Sequence, residues 1–148
     1  MSDEEIKIHR GLNNVYFDRT KTTYINGKEG VLEYRGYNIH DLSEKSSFEE
    51  VSYLLLYGKL PTKNELDAFN NSLKESREIP SQVIDIIKSI KDSHPMDVLR
   101  TAVSALSTFD EEASDKSYDA TMRKGIRLTS QVPTIVTVSY THLRAHET

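Results

Sequence analysis

The arrangement in this sequence best able to move a proton is His94, Asp97 and Arg100, spaced three apart. On a helix that spacing brings all three side chains to one side, where an imidazole and a carboxylate could share acid and base work beside a fixed cation. A plainer account fits the same residues. Asp97 stands in the first turn of a helix opened by Pro95, where a negative charge is favoured, and Arg100 is one turn away to pair with it. Structure alone accounts for the trio. Asp110, Glu111, Glu112, Asp115 and Asp119 form an acidic cluster without calcium-loop spacing or its glycine, and they read as a solvated loop. Tyr34, Arg35 and Tyr37 offer rings and a guanidinium for stacking on a nucleobase, yet their place after a strand suits packing against helices better. Among His9, His40, His94, His142 and His146, only the last two are four apart, with no glutamate beside the first and no apolar helix around them, so no metal site is expected. The six glycines are scattered singly, which leaves no phosphate-cradling loop.

Whatever these residues do, one domain must position them. A chain of 148 residues is long enough to bury a hydrophobic core, and its eight tyrosines and four phenylalanines add to a Leu, Ile and Val content too high for disorder. Nineteen basic against 23 acidic residues give a net charge of -4, which provides no general attraction to nucleic acid or anionic membranes. With no cysteine, disulfides, thiolate zinc sites and cysteine nucleophiles are excluded. The stretch Met1 to Arg10 reads as neither a signal nor a transit peptide, and no run of about 18 apolar residues occurs, so a soluble, cytoplasmic protein is expected.

The elements follow from local chemistry. From Thr20 to Tyr37 an alternating pattern around Asn26-Gly27 and Gly30 predicts a β-hairpin, with Asn26 and Gly27 tolerating positive φ. Ser47-Phe48-Glu49-Glu50 and Thr62-Lys63-Asn64-Glu65 are capping boxes that open two helices. Phe48, Val51, Leu54, Leu55 and Tyr57 form the apolar face of the first, which stops at Gly58; Leu66, Phe69 and Leu73 form that of the second. Val83, Ile84, Ile86, Ile87 and Ile90 predict a third helix after Pro80. Met96, Leu99, Val103 and Leu106 predict a fourth after His94-Pro95. A last helix over Asp119 to Gln131, with Met122, Ile126 and Leu128 apolar, is expected to resume or kink at Val132-Pro133. The fold class is all-α with a small N-terminal β-hairpin.

Four motifs occur in an order that resembles the citrate synthase family, citrate synthase and 2-methylcitrate synthase. They are Gly30-Val31-Leu32-Glu33-Tyr34-Arg35-Gly36-Tyr37-Asn38-Ile39 with Asp41-Leu42; Ser47 to Val51 with Leu54 to Thr62; His94-Pro95-Met96-Asp97-Val98-Leu99-Arg100-Thr101; and Val132-Pro133-Thr134-Ile135-Val136. The likeness runs from about Gly11 to Val136, and the short bacterial and archaeal form fits best. It implies that residues 1–137 are the N-terminal part of the large domain of a homodimeric acyltransferase. Such an enzyme condenses acetyl-CoA, or propionyl-CoA in the methylcitrate enzymes, with oxaloacetate, in the tricarboxylic acid cycle for the citrate enzyme. Acetyl-CoA is then a co-substrate, and no prosthetic group is implied.

That chemistry needs a carboxylate base, a histidine that donates to the developing enolate oxygen, a second histidine on the keto acid, and arginines for its carboxylates. In the family all of these come from segments beyond this chain. The resemblance therefore implies no catalytic, cofactor-binding or metal-binding residue here, and a chain inactive alone; His94 and Asp97 fall in a scaffold motif. The resemblance also implies that the faces of the last two helices pack against later helices and a second subunit. Residues 138–148 depart from the family, lack a helical apolar face and read as an artefactual tail joined near Thr137. An alternative of another class is a non-catalytic helical module that dimerises with or regulates a full-length synthase.

Overall fold

The computed structural model describes residues 11, 15, 16 and 18–144. Its first unit is an antiparallel meander of β1 (Thr23–Asn26), β2 (Val31–Tyr34) and β3 (Tyr37–Asn38), with Asn26 opposite Val31 and Tyr34 opposite Tyr37. The first two strands are the expected hairpin, but its turn differs. Neither Asn26 nor Gly27 takes a positive φ; the Asn26 side-chain oxygen accepts from the Lys28 and Glu29 amides at 3.2 and 3.3 Å, and Gly30 turns left-handed at φ 67°. The third strand was outside the expectation. Arg35 and Gly36, at φ 52° and 85°, supply the two left-handed residues whose twist suits a two-residue turn.

Asn38 then caps α1 (Ile39–Lys45), accepting from the His40 amide at 2.9 Å, and α1 buries Leu42. Helices α2 (Phe48–Tyr57) and α3 (Lys63–Glu75) begin at the two expected capping boxes, each complete in both directions. Gly58 ends α2 at φ 81°. The inward face of α2 is rotated from the expectation: Tyr53 and Leu54 are buried, while Phe48 is 64% exposed and Tyr57 is exposed. Aromatic geometry explains this. Tyr53 stacks on Tyr57 at 4.3 Å between centroids and meets the buried Phe69 edge-on at 5.4 Å, which fixes the side that faces α3. Leu73 joins that cluster as expected, with Leu56 packed against it.

Helices α4 (Ser81–Ser89) and α5 (Pro95–Leu106) also form where expected, followed by a 3₁₀ turn over Ser107–Phe109 and then α6 (Tyr118–Arg144). On α4, Val83 and Ile87 point inward. On α5 the buried face is Val98, Ala102 and Leu106, with Leu99 and Val103 at its flank and Met96 61% exposed. The expected stripe was thus offset from the buried one. Ala102 is too small to mark a hydrophobic face in a sequence, yet its size lets a neighbouring helix approach along the four-residue ridge.

Helix α6 runs beyond Gln131 through Pro133, in line with the expected resumption there, and its continuation to Arg144 is the larger departure from the expectation. Pro133 leaves the Thr129 carbonyl without its helical donor. Tertiary bonds hold the segment regardless. The Ser130 hydroxyl donates to the Leu73 carbonyl at 2.6 Å, satisfying an orphan at the end of α3, and the Gln131 amide donates to the Glu78 carbonyl at 3.0 Å. Ile135 is fully buried, Val138 packs on the same core, and Ser139 is buried, so the residues after Thr137 do carry an inward helical face. The main core gathers Val83, Ile87, Val98, Ala102, Leu106 and Ile135. Because Ile126 touches the Tyr53 cluster, α6 spans both cores, whereas Leu128, expected inside, is exposed. Among the described residues no helix is long and apolar enough to cross a membrane.

Candidate functional site

Between the end of α5 and α6 opens a cleft of about 520 Å³, with Leu106, Phe109 and Leu128 on its apolar walls and Asp110, Glu112 and Arg127 on its polar side. Asp110 and Glu112 belong to the acidic run that reads as a solvated loop, and here the structure differs. The Arg127 guanidinium donates to both Asp110 carboxylate oxygens at 2.8 and 2.9 Å and to Glu112 at 2.8 Å; Arg123 pairs with Glu112 as well. Arg127, Asp110 and Glu112 are all largely shielded from solvent. Glu111, Asp115 and Asp119 remain exposed as expected.

The electrostatics show what this cluster can do. Burial pushes the Asp110 carboxyl up, but hydrogen bonds from Arg127 and from the Glu112 amide overcome it and hold the group below the usual carboxylate range. Hydrogen bonds from Arg123 and Arg127 bring Glu112 from an ordinary 4.5 down to about 2. Carboxylates held ionised this firmly act as ion-pair partners and do not exchange protons near neutrality. A pH prediction follows. A depressed carboxyl contributes stability that is present above its unfolded value and lost as pH falls through its folded one, so for Glu112 the loss runs from about 4.5 down to about 2. Glu65, also held at about 2 by Lys59 and by the Thr62 amide and hydroxyl, acts in the same window. Urea midpoints between about pH 6 and 3 should therefore fall less steeply in Glu112→Gln than in the parent; parallel curves would show that the pair contributes nothing.

The proton-moving trio serves as scaffold, with Asp97 and Arg100 paired and His94 on the backbone. His94 caps α5, its Nδ1 accepting from the Met96 amide at 3.2 Å, and Arg100 donates to Asp97 at 2.9 Å. All three are exposed and none lines the cleft. Of the stacking candidates, Arg35 is engaged within the fold: its guanidinium donates to the Leu55 carbonyl at 3.0 Å and lies against Gly58, placing a cation at the end of α2, whose last turn has none of its own. Tyr37 is exposed, and Tyr34 is half-buried. His40 is exposed at the start of α1, while His9 and His146 lie outside the described residues. No group of three or more metal-ligating side chains occurs among the described residues. The cations that organise the cleft, Arg123, Lys124 and Arg127, were not singled out in the sequence. Their spacing of one helical turn, just after an acidic run, was the available signal.

Comparison with known proteins gives a consistent result. The family model described as citrate synthase, C-terminal domain, matches residues 11–148. The chain is 45% identical over 130 residues to citrate synthase of Deinococcus radiodurans, covering 87% of this chain and 34% of that protein. It is 41% identical over 137 residues to 2-methylcitrate synthase 1 of Corynebacterium glutamicum, covering 92% and 35%. The crystal structure of citrate synthase from Pyrobaculum aerophilum superposes with a TM-score of 0.88 at 36% identity, over 93% of this chain and 37% of that one. A ternary complex of the Thermoplasma acidophilum citrate synthase with carboxymethyl coenzyme A and oxaloacetate superposes with a TM-score of 0.84 at 28% identity, over 94% and 37%. The chain spans about a third of the length of the relatives it matches.

Proposed function

The chain belongs to the citrate synthase family, and we propose that it forms the N-terminal part of the large domain of a cytoplasmic, homodimeric acyltransferase that condenses acetyl-CoA with oxaloacetate to citrate and CoA. The observation that carries this reading is the superposition on the Pyrobaculum citrate synthase over 93% of the chain. The Thermoplasma relative, bound to a coenzyme A analogue and oxaloacetate, supports the substrate pair. Under this reading the chain contributes scaffold and no catalytic residue, acetyl-CoA is a co-substrate, and no prosthetic group is required. The exposed apolar side chains of Met96 and Val136, on α5 and α6, support an assembly larger than this chain. A second reading, 2-methylcitrate synthesis from propionyl-CoA, draws on the 41% identity to the Corynebacterium enzyme.

The test is a pair of proteins: these residues alone, and the same residues joined to the remaining two-thirds of the Deinococcus citrate synthase. The chain alone is expected to release no CoA thiol from acetyl-CoA and oxaloacetate above background, because a reaction of this kind needs a base and oxyanion donors held together. The joined protein should turn over. Activity in the chain alone, or a folded but inert chimera, would overturn the reading. Joining the corresponding part of the Corynebacterium enzyme and comparing propionyl-CoA with acetyl-CoA tests whether this scaffold also serves the second reaction.

A further inference from the structure

The loop of residues 110–117, whose first four residues line the cleft, is held to α6 by cations from a single helical turn. Arg123 and Arg127 take the carboxylates of Glu112 and Asp110. Between them, Lys124 does something different. Its ammonium donates to two main-chain carbonyls, that of Glu112 at 3.2 Å and that of Asp115. Two carbonyls of one loop converging on one charge is how a loop wraps a bound cation, and here the cation is tethered to the neighbouring helix. The rest of the loop is closed around this centre. The Asp110 and Asp115 carboxylates accept from the amides of Glu112 and Ser117 at 2.9 and 2.8 Å, and the Ala113 and Asp115 amides donate to the carbonyls of Asp110 and Glu112 at 3.0 Å each.

The loop has little else to hold it. Glu111, Ala113, Ser114, Asp115, Lys116 and Ser117 are all exposed, and none belongs to the hydrophobic core. Behind it lies the apolar wall of Val103, Leu106 and Leu128. A segment secured by charge and not by buried apolar area opens at a lower free energy than the helices around it.

We propose that residues 110–117 form a charge-latched lid over the cleft, with the Lys124 ammonium as the latch that keeps it closed. Removing that charge frees residues 113–117, while Asp110 and Glu112 stay on their arginines and the helices stay in place. This inference is independent of the acyl-transfer reading, since it concerns one loop and requires no substrate.

Hydrogen exchange resolved by residue tests it on the 148-residue chain. Lys124→Met keeps most of the side chain's length and removes the charge, and Lys124→Arg keeps a cation. In the methionine variant the amides of Ala113, Asp115 and Ser117 should exchange at least about tenfold faster than in the parent, while those of α3 keep their rates and the arginine variant stays near the parent. Unchanged loop rates in Lys124→Met would overturn the proposal. If that variant unfolds as a whole, so that the α3 amides speed up too, the parent protein decides. In about 1 M salt its loop amides should lose protection before those of α3, because screening weakens the latch and leaves apolar burial intact. Loop and α3 amides responding together would refute the lid.

Discussion

Replacing Ile135 by alanine is expected to lower the free energy of unfolding by about 2–5 kcal/mol. The residue is fully buried and joins α6 to Val83 and Ile87 of α4 and to Val98, Ala102 and Leu106 of α5. Alanine would leave a gap walled by three helices, and surroundings fixed by three backbones collapse poorly onto a void. The position matters further because Pro133, two residues before it, already weakens α6 from within. Urea unfolding should show a lower midpoint at an unchanged slope. A loss below about 1 kcal/mol would mean that the core is looser than its burial indicates. Val136→Ala is the control: its side chain is 50% exposed, and its effect should stay within about 0.5 kcal/mol.

Ending the chain after Thr137 is expected to cost about 1–3 kcal/mol. A sequence reading that finds no apolar face beyond this point expects almost no effect, but the structure gives this segment an inward face. Val138 packs against the core that holds Ile135, Ser139 is buried, and α6 continues to Arg144. Truncation removes those contacts and moves the frayed end of the helix next to Ile135, where the last carbonyls lose their donors. Denaturant melts of the two forms measure the difference, and hydrogen exchange in α5 should rise in the shorter chain. Equal midpoints would show that the final turns of α6 contribute nothing to the fold.

Much of the scaffold was legible because it rests on chemistry within a few residues. Ser47 with Glu50, and Thr62 with Glu65, are reciprocal bonds across three positions, so a reader of the chain can place the starts of α2 and α3. His94-Pro95 opens α5 and Gly58 closes α2 for equally local reasons. The scaffold reading of His94, Asp97 and Arg100 agrees with the geometry, since a capping imidazole and an ion pair one turn long are complete within seven residues.

The sequence by itself determined that the segments of α2 to α5 and the first part of α6 are helical, where most of them begin, and the family whose motifs they carry, because capping, turn chemistry and apolar spacing act over one or two turns of chain; the short α1, which shows only one buried residue, was not foreseen. Only the tertiary structure decided which faces turn inward. On α5 it selected Val98 and Ala102 over Met96, and on α2 Tyr53 over Phe48, since the choice depends on what lies opposite and on how closely two backbones can approach. It also decided that Asp110 and Glu112 are anchors, through arginines 11 to 17 residues away. In the same way it carried α6 through Pro133 and past Thr137. A helix broken in its own hydrogen bonding persists when neighbouring helices bury its side chains and accept its hydroxyls, and those neighbours are brought to it by the fold, not by the sequence beside it.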